Sequence, residues 1–244
     1  MTERPVLVPT SLGFAGVIVG SPIGEPRGAA LVLQGLESPR AGFGGIWATA
    51  ARGLAERGVT VLRVDYPGLG DSSRAVGGPE THRRFLREVV AWFREETGAT
   101  RVGGAGTCYG ARLALALAAE GVLDAGLLLV TPWIGVRRGR SGVRDLTRRA
   151  RRRLGLPMPL DAGALADLRS VSGRRTVRIL VGEEDAQERA TLRAAARRLA
   201  VPVPVDVEPG VRLHRWSTAA AQEAMSGWVV KGADDLVMVE TAPV

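Results

Sequence analysis

The sequence predicts an α/β fold, with a mostly parallel eight-stranded sheet flanked by helices and a small helical cap. Short runs of β-branched or apolar residues alternate with longer amphipathic segments, a pattern typical of parallel strands joined by helices. The central runs, such as Ala-Ala-Leu-Val-Leu, lack polar alternation, so we expect helices on both faces of the sheet. The chain has 244 residues, 45% of them hydrophobic and 24% charged, which predicts a single folded domain.

Eight runs have the length and composition of strands. The first two are joined by Ser11-Leu12-Gly13 and predict an antiparallel hairpin at an edge of the sheet. The later runs are separated by helical segments and predict parallel strands. In chain order, the predicted strands are Val6–Pro9, Phe14–Val19, Ala29–Gln34, Thr60–Asp65, Arg101–Cys108, Ala125–Thr131, Thr176–Gly182 and Val203–Glu208.

Amphipathic segments between these runs predict five helices. They are Gly45–Arg57, Glu80–Thr97, Tyr109–Glu120, Ala186–Leu199 and Ser217–Lys231. The third helix is apolar nearly all round, which predicts a central, buried position. His82 lies in the second helix, and we expect it on the solvent-exposed surface of that helix.

The segment Ile134–Arg175 interrupts the alternation of strands and helices. It contains a short helical pattern and the breaker Leu156-Pro157-Met158-Pro159, and an insertion of this length between two core strands predicts a cap over the strand ends. The predicted organisation is a single domain in which residues 1–133 and 176–244 form the core and residues 134–175 form the cap.

The predicted cap is rich in arginine, and two interpretations stay open. The arginines could form a solvated helix face, or they could bind an anionic partner. Such a partner would be a carboxylate substrate, a coenzyme A phosphate or the acidic helix of an acyl carrier protein. The arginines are Arg137, Arg138, Arg140, Arg144, Arg148, Arg149, Arg151, Arg152 and Arg153.

Composition excludes several other classes of protein. The single cysteine allows neither an internal disulfide nor a multi-cysteine metal site, and no apolar run is long enough to span a bilayer. We therefore expect a cytoplasmic protein with no cofactor, no bound metal and no membrane partner. The net charge is +8, but every basic residue except Lys231 is arginine, and no nucleic-acid-binding motif accompanies them. We do not expect a nucleic-acid partner.

A glycine-rich turn follows the fifth predicted strand. The segment Gly103–Gly110 does not fit a dinucleotide-binding G-x-G-x-x-G from either Gly103 or Gly104, and it has no P-loop lysine. Its core is Gly106-Thr107-Cys108-Tyr109-Gly110. It resembles the nucleophile elbow of the α/β-hydrolase superfamily, G-x-S-x-G, with cysteine in the serine position. Side chains at the two outer glycines would collide with the neighbouring strand and helix, so only the central residue projects freely.

Four further motifs resemble those of the same superfamily and occur in the same order. Gln34-Gly35-Leu36 corresponds to the His-Gly oxyanion loop, and Asp65-Tyr66-Pro67-Gly68-Leu69-Gly70-Asp71-Ser72 matches the D-x-P-G-x-G-x-S loop. Asp185 follows a later strand where the family keeps its acid, and the spacing favours it over Glu183 and Glu184. His214 follows the last strand, where the family keeps its base. The departures from the family pattern are Gln34 for histidine and Cys108 for serine.

The resemblance implies an α/β-hydrolase fold and a catalytic triad of Cys108, His214 and Asp185. It also implies an oxyanion hole formed by the backbone N–H of Tyr109 and that of Leu36 or Gly35. The position of Cys108 at a helix N-terminus, beside a histidine, favours the thiolate.

The expected substrate is an ester or thioester of an apolar, polyketide-like acyl group. Gln34, Trp133 and Met158 are the predicted substrate-binding residues, and other apolar cap residues form a roof. Cysteine-elbow members of the family include dienelactone hydrolase-like enzymes and some thioesterases, which implies hydrolysis or acyl transfer. One alternative resembles the eliminating enzymes of tetronate polyketide pathways, in which His214 would act as a base and a carboxylate such as acetate would leave. A second alternative is a non-catalytic binding protein with the same fold.

Overall fold

The structure, a computed structural model, describes residues 1–36, 38–75, 77–135, 156–213 and 218–237. Its strands form one eight-stranded sheet with the order β1-β2-β4-β3-β5-β6-β7-β8. The strands are β1 Thr2–Thr10, β2 Gly13–Ser21, β3 Gly28–Leu33, β4 Val59–Val64, β5 Val102–Thr107, β6 Leu127–Val130, β7 Val177–Gly182 and β8 Val205–Glu208. The predicted α/β architecture with eight strands is confirmed.

The first two strands form the predicted antiparallel hairpin. β1 pairs with β2 from Thr2↔Ser21 to Thr10↔Gly13, and β2 pairs antiparallel with β4, whereas the other neighbouring strands are parallel. β1 begins earlier than the sequence predicts. At this edge of the sheet the backbone stays paired while most of the side chains remain exposed, so the apolar run is shorter than the strand.

Helices cover both faces of the sheet. They are α1 Ile46–Glu56, α2 Pro79–Thr97, α3 Tyr109–Ala119, α4 Ala162–Ser172, α5 Ala186–Ala196, α6 Ala219–Lys231 and α7 Ala233–Val237. The sequence did not predict α7, a single short turn that buries Ala233 and Leu236. Among the described helices, none is long and apolar enough to cross a membrane.

Two apolar cores lie on opposite faces of the sheet. One contains the buried side chains of α2, α3 and α4, and the other contains those of α1 and α6. All residues of α3 are buried except Arg112 and Ala119, as the sequence predicts for a central helix. The two-sided packing explains why the strands in the middle of the sheet show no polar alternation.

The predicted cap is described only in part. Residues 136–155, which include all the cap arginines named above, lie outside the described residues. After this gap, Leu160 forms an antiparallel bridge with Gly135, and α4 packs against α3. An ion pair of 2.7 Å joins Arg112 of α3 to Asp167 of α4. The described part of the segment therefore packs on the core, and the cap itself stays a prediction.

We expect Leu117→Ala to destabilise the protein by about 3 kcal/mol, because it removes a buried side chain and leaves a cavity. Leu117 is 0% exposed in α3, whereas Leu7 on β1 is 57% exposed. Leu7→Ala is the matched control and should change the free energy of unfolding by less than about 0.5 kcal/mol. Equilibrium urea unfolding measures both variants. Equal losses in the two would contradict the packing of α3 described here.

Candidate active site

Cys108 connects β5 to α3 in a strained backbone conformation, with φ 52° and ψ −110°. Positive φ is uncommon for residues other than glycine and costs free energy unless the surroundings fix it. Here the N–H of Cys108 donates to the Val130 carbonyl at 3.0 Å, and its carbonyl accepts from the N–H of Arg112 at 3.1 Å and from that of Trp133 at 3.4 Å. These contacts hold a half-buried cysteine at the N-terminus of α3, where the helix dipole favours negative charge.

The glycines on either side of Cys108 allow the backbone of α3 to approach the sheet closely. A Cβ at Gly110 would lie 2.4 Å from the carbonyl oxygens of Leu33 and Gln34 at the end of β3. A Cβ at Gly106 would lie 2.8 Å from the backbone of the first turn of α3. Both contacts are with backbone atoms that cannot rotate away, so the predicted collisions are present and the turn requires glycine at both positions.

Asp185 follows β7 and is 3% exposed. Its Oδ2 accepts a hydrogen bond from the N–H of Leu213 at 2.7 Å, which ties the loop after β7 to the loop after β8. His214 is the next residue along the chain and lies outside the described residues. The structure therefore brings the predicted acid to the residue that precedes the predicted base, and the contact between acid and base stays a prediction.

The two glutamates before Asp185 are exposed and have other contacts. Glu183 accepts from the N–H of Gly210 at 2.8 Å, and Glu184 lies 3.9 Å from the guanidinium of Arg212. Both bonds join the same two loops at the surface. Of the three acidic residues, Asp185 is the only buried one, which favours it as the acid of the site.

The loop after β3 carries the second predicted arm of the oxyanion hole. Gln34 is 1% exposed, and its Nε2 donates to the Val64 carbonyl at the end of β4 at 2.9 Å. Gly35 is buried and Leu36 is 46% exposed. The side chain of Gln34 thus anchors the loop to the neighbouring strand, and its predicted contact with a substrate stays a prediction.

Arg40 joins the loop after β3 to the loop after β4. Its backbone N–H donates to Oδ1 of Asp65 at 2.8 Å, and its guanidinium binds the carboxylates of Asp65 and Asp71. Burial opposes the charge on Arg40, but the hydrogen bond to Asp71 and the charge of Asp65 outweigh it and raise the pKa of the guanidinium. The D-x-P-G-x-G-x-S motif therefore holds Arg40, in the loop after β3, in place through its first aspartate.

His82 does not lie on the solvent-exposed surface of α2, so that prediction was wrong. It is half-buried, its Nδ1 lies 2.8 Å from the hydroxyl of Tyr109, and its ring stacks on Tyr66 at 5.3 Å between centroids. The helical period of α2 carries the missed signal, because position 82 shares a face with the buried Phe85, Leu86 and Val89.

Burial shifts the pKa values of His82, Tyr109 and Tyr66 in the direction that favours their neutral forms. Burial lowers the pKa of His82, so its Nδ1 can accept a hydrogen bond at neutral pH. Burial also raises the pKa of Tyr109 to about 12. Burial raises the pKa of Tyr66 well above its ordinary value. The phenol of Tyr66 donates to the Gln34 carbonyl, and the protonated phenol of Tyr109 lies within hydrogen-bonding distance of Nδ1 of His82.

Of the other two predicted substrate-binding residues, Trp133 lines a groove and Met158 does not. The groove has a volume of about 320 Å³. It is lined by Pro79, Arg83, Tyr109, Arg112, Leu113, Ala116, Trp133, Gly135 and Asp161. Met158 lies close to Gly135 and is not among the residues that line the groove, and its N–H donates to the Thr191 hydroxyl at 2.9 Å. Among the residues that the structure describes, no group of His, Cys, Asp or Glu has the arrangement of a metal site.

The sequence matches the model of the alpha/beta hydrolase family over residues 28–243, nearly the whole chain. The chain belongs to the α/β hydrolase family. This assignment confirms the family that the five motifs predicted, and the strand order and the elbow between β5 and α3 agree with it.

Solved structures share the fold of this α/β hydrolase over nearly their whole length. An alpha-beta serine hydrolase homologue from Coxiella burnetii is 17% identical, with 95% of this chain and 98% of that chain covered and a TM-score of 0.68. Dienelactone hydrolase from Anabaena variabilis is 18% identical, with coverage of 94% and 95% and a TM-score of 0.68. A thermostable carboxyl esterase from Bacillus coagulans is 13% identical, with coverage of 98% and 100% and a TM-score of 0.70. No curated protein matches the sequence.

We expect the native protein to form little tyrosinate as the pH rises through about 10, the ordinary pKa of tyrosine. The chain has two tyrosines, and burial raises the pKa of both, that of Tyr109 to about 12. The folded protein therefore keeps protons that the unfolded chain has lost, so the free energy of unfolding falls as the pH rises from about 10 towards 12.

Ultraviolet absorbance of tyrosinate measures this titration, with far-ultraviolet circular dichroism to verify that the protein stays folded. The urea-unfolded chain is the control and should titrate near its ordinary value of about 10. Half of the tyrosinate signal appearing at that pH, with the circular dichroism unchanged, would contradict the buried positions of Tyr66 and Tyr109.

Proposed function

We propose that this α/β hydrolase acts on an ester or thioester of an apolar, polyketide-like acyl group through a triad of Cys108, His214 and Asp185. The observation that carries the proposal is the strained conformation of Cys108 at φ 52° between β5 and α3. A free energy cost of about 1–3 kcal/mol at one residue persists where function requires that geometry. Buried Asp185 accepts a hydrogen bond from the N–H of Leu213, the residue before His214, and this supports the rest of the triad.

The proposed reaction has two halves. His214 takes the proton of the Cys108 thiol, the sulfur forms a bond to the acyl carbon, and His214 returns the proton to the departing alcohol or thiol. In the second half, His214 deprotonates water or another acceptor, which attacks the thioester carbon. The C–S bond breaks and the thiol of Cys108 regains its proton. With water the reaction is hydrolysis, and with an alcohol, amine or thiol acceptor it is acyl transfer.

Backbone amides stabilise the negative oxygen that develops in each half. The N–H of Tyr109 lies in the first turn of α3, where backbone N–H groups have no partner within the helix. The N–H of Gly35 or Leu36, after β3, supplies the second donor. Two such donors, fixed before the reaction begins, are typical of acyl-transfer sites and stabilise the transition state strongly.

The groove beside Tyr109 supports an apolar acyl substrate. Trp133, Leu113 and Ala116 give it an apolar wall, and a volume of about 320 Å³ is suited to a small to medium acyl group. The dienelactone hydrolase and the carboxyl esterase that share the fold carry names that denote action on esters. Where the substrate is a thioester, the arginines between residues 137 and 153 of the predicted cap would bind the anionic group of coenzyme A or of an acyl carrier protein.

We expect a medium-chain p-nitrophenyl ester to leave one acyl group on the wild-type protein and none on Cys108→Ala, as measured by intact-protein mass spectrometry. The chain has one cysteine, so an adduct on sulfur can only be on Cys108. Cys108→Ala should lower turnover by at least about a thousandfold. Cys108→Ser is the matched variant: it retains the shape of the nucleophile and should carry the acyl group as an oxygen ester.

Two outcomes would favour the other candidate functions. The first needs an alkyl ester with an acidic hydrogen on the carbon next to the ester-bearing carbon: turnover of it that survives Cys108→Ala but is abolished by His214→Ala, with an alkene product and no solvent oxygen incorporated, would indicate a lyase that eliminates a carboxylate. An unlabelled wild-type protein that binds the ester without turnover would indicate a binding protein.

A further inference from the structure

Tyr66, His82 and Tyr109 come from three different elements and meet beside Cys108. Tyr66 lies in the loop after β4, His82 in the first turns of α2 and Tyr109 at the start of α3. We propose that these three residues, here called the aromatic cluster, are positioning residues that orient both backbone arms of the oxyanion hole. The inference rests on the proposed acyl chemistry of Cys108.

The first arm is oriented through a shared peptide plane. The hydroxyl of Tyr66, which is 0% exposed, donates to the backbone carbonyl of Gln34 at 2.7 Å. That carbonyl and the N–H of Gly35 belong to one planar trans peptide and point in opposite directions. A bond that fixes the direction of the Gln34 oxygen therefore fixes the direction of the Gly35 N–H. The side chain of Gln34 is itself bonded to Val64, so the residue before the arm is held at two points.

The second arm is oriented through the side chain that follows the nucleophile. Tyr109 is 7% exposed, and its hydroxyl is bonded to Nδ1 of His82 at 2.8 Å. Because this bond fixes the hydroxyl of Tyr109, the ring is held in one rotamer. The backbone of Tyr109, including the peptide that joins it to Cys108, then has less freedom to rotate. This peptide carries the N–H that faces the developing oxyanion.

The three rings also contact one another directly. Tyr66 stacks on His82 with an interplanar angle of 9°, and Tyr109 meets both rings edge-on, at 85° to Tyr66 and 77° to His82. A shift of one ring therefore displaces the other two, and the two arms are mechanically coupled. Packing alone would be satisfied by phenylalanine at all three positions. Instead, the hydroxyl of Tyr66 is bonded to Gln34, and Nδ1 of His82 is bonded to the hydroxyl of Tyr109. Gln34 and Tyr109 belong to the two loops that form the proposed site.

Two readouts separate positioning of the oxyanion hole from general support of the fold. Acylation of Cys108 by a p-nitrophenyl ester develops an oxyanion, whereas alkylation of the same sulfur by iodoacetamide does not. We expect Tyr66→Phe and His82→Phe to slow the p-nitrophenol burst by about tenfold, because each releases one arm without deleting its donor. The rate of alkylation should stay within about twofold of the wild-type rate, since the thiol and its helix N-terminus are unchanged.

Matched variants test whether loss of the hydrogen bond between His82 and Tyr109 causes the slower burst of His82→Phe. His82→Asn keeps an acceptor, Oδ1, near the position of Nδ1 and should restore most of the burst rate. The double variant His82→Phe/Tyr109→Phe should lose no more than the larger single variant, because both substitutions break one bond. Trp92→Phe, in the same helix but about 15 Å further along it, should leave both rates unchanged.

The outcomes distinguish the failure of this inference from that of the proposed function. An acyl adduct that forms on Tyr66→Phe and His82→Phe at the wild-type rate overturns the inference alone. Equal losses of acylation and alkylation also overturn it, because they indicate a structural role. A wild-type protein that is alkylated on Cys108 but never acylated overturns the proposed function and the inference with it.

Discussion

The close approach of α3 to the ends of β3 and β5 is the constraint on which the site depends. It exists because Gly106 and Gly110 have no side chains, so that backbone meets backbone where a Cβ would lie 2.4–2.8 Å from its neighbours. The approach forces a sharp turn between strand and helix, and Cys108 occupies that turn at φ 52°. The close packing of α3 against the sheet therefore explains why Cys108 is strained, why it projects from the edge of the sheet and why it lies at the N-terminus of α3.

The parallel sheet extends this constraint to residues far apart in the chain. β3 to β8 run in the same direction, so the residues after each strand gather at one edge. Gln34, Asp65, Cys108 and Asp185 each follow a different strand and come to that edge for the same reason. The sheet alone brings these loops close to one another. Hydrogen bonds between them, such as that of Arg40 with Asp65, then fix their relative positions.

The sequence predicted the fold well because the buried strands and the buried helix carry strong apolar patterns. The turn at Cys108 was also predictable, because close backbone packing requires glycine at positions 106 and 110. Its errors are a helix too short to carry a pattern and a side chain whose position depends on partners from other elements. α7 has only five residues, so its length did not distinguish it from a loop, although its Ala233 and Leu236 are buried. The sequence predicts a surface position for His82 because a single histidine carries no apolar signal, although the period of α2 places that residue on the buried face of the helix.

Tyr66 illustrates a different limit of sequence motifs. It occupies the variable position of D-x-P-G, so the motif that identifies the loop says nothing of this side chain, yet its hydroxyl is bonded to Gln34, which precedes the proposed oxyanion arm. Gln34 is likewise a departure from the family's usual histidine, and its side chain is bonded to β4. The two bonds hold Gln34 rigidly in place, where the loop after β3 begins. Rigidity there is what a site that stabilises a transient charge requires, because donors that must reorient during the reaction lose much of their effect.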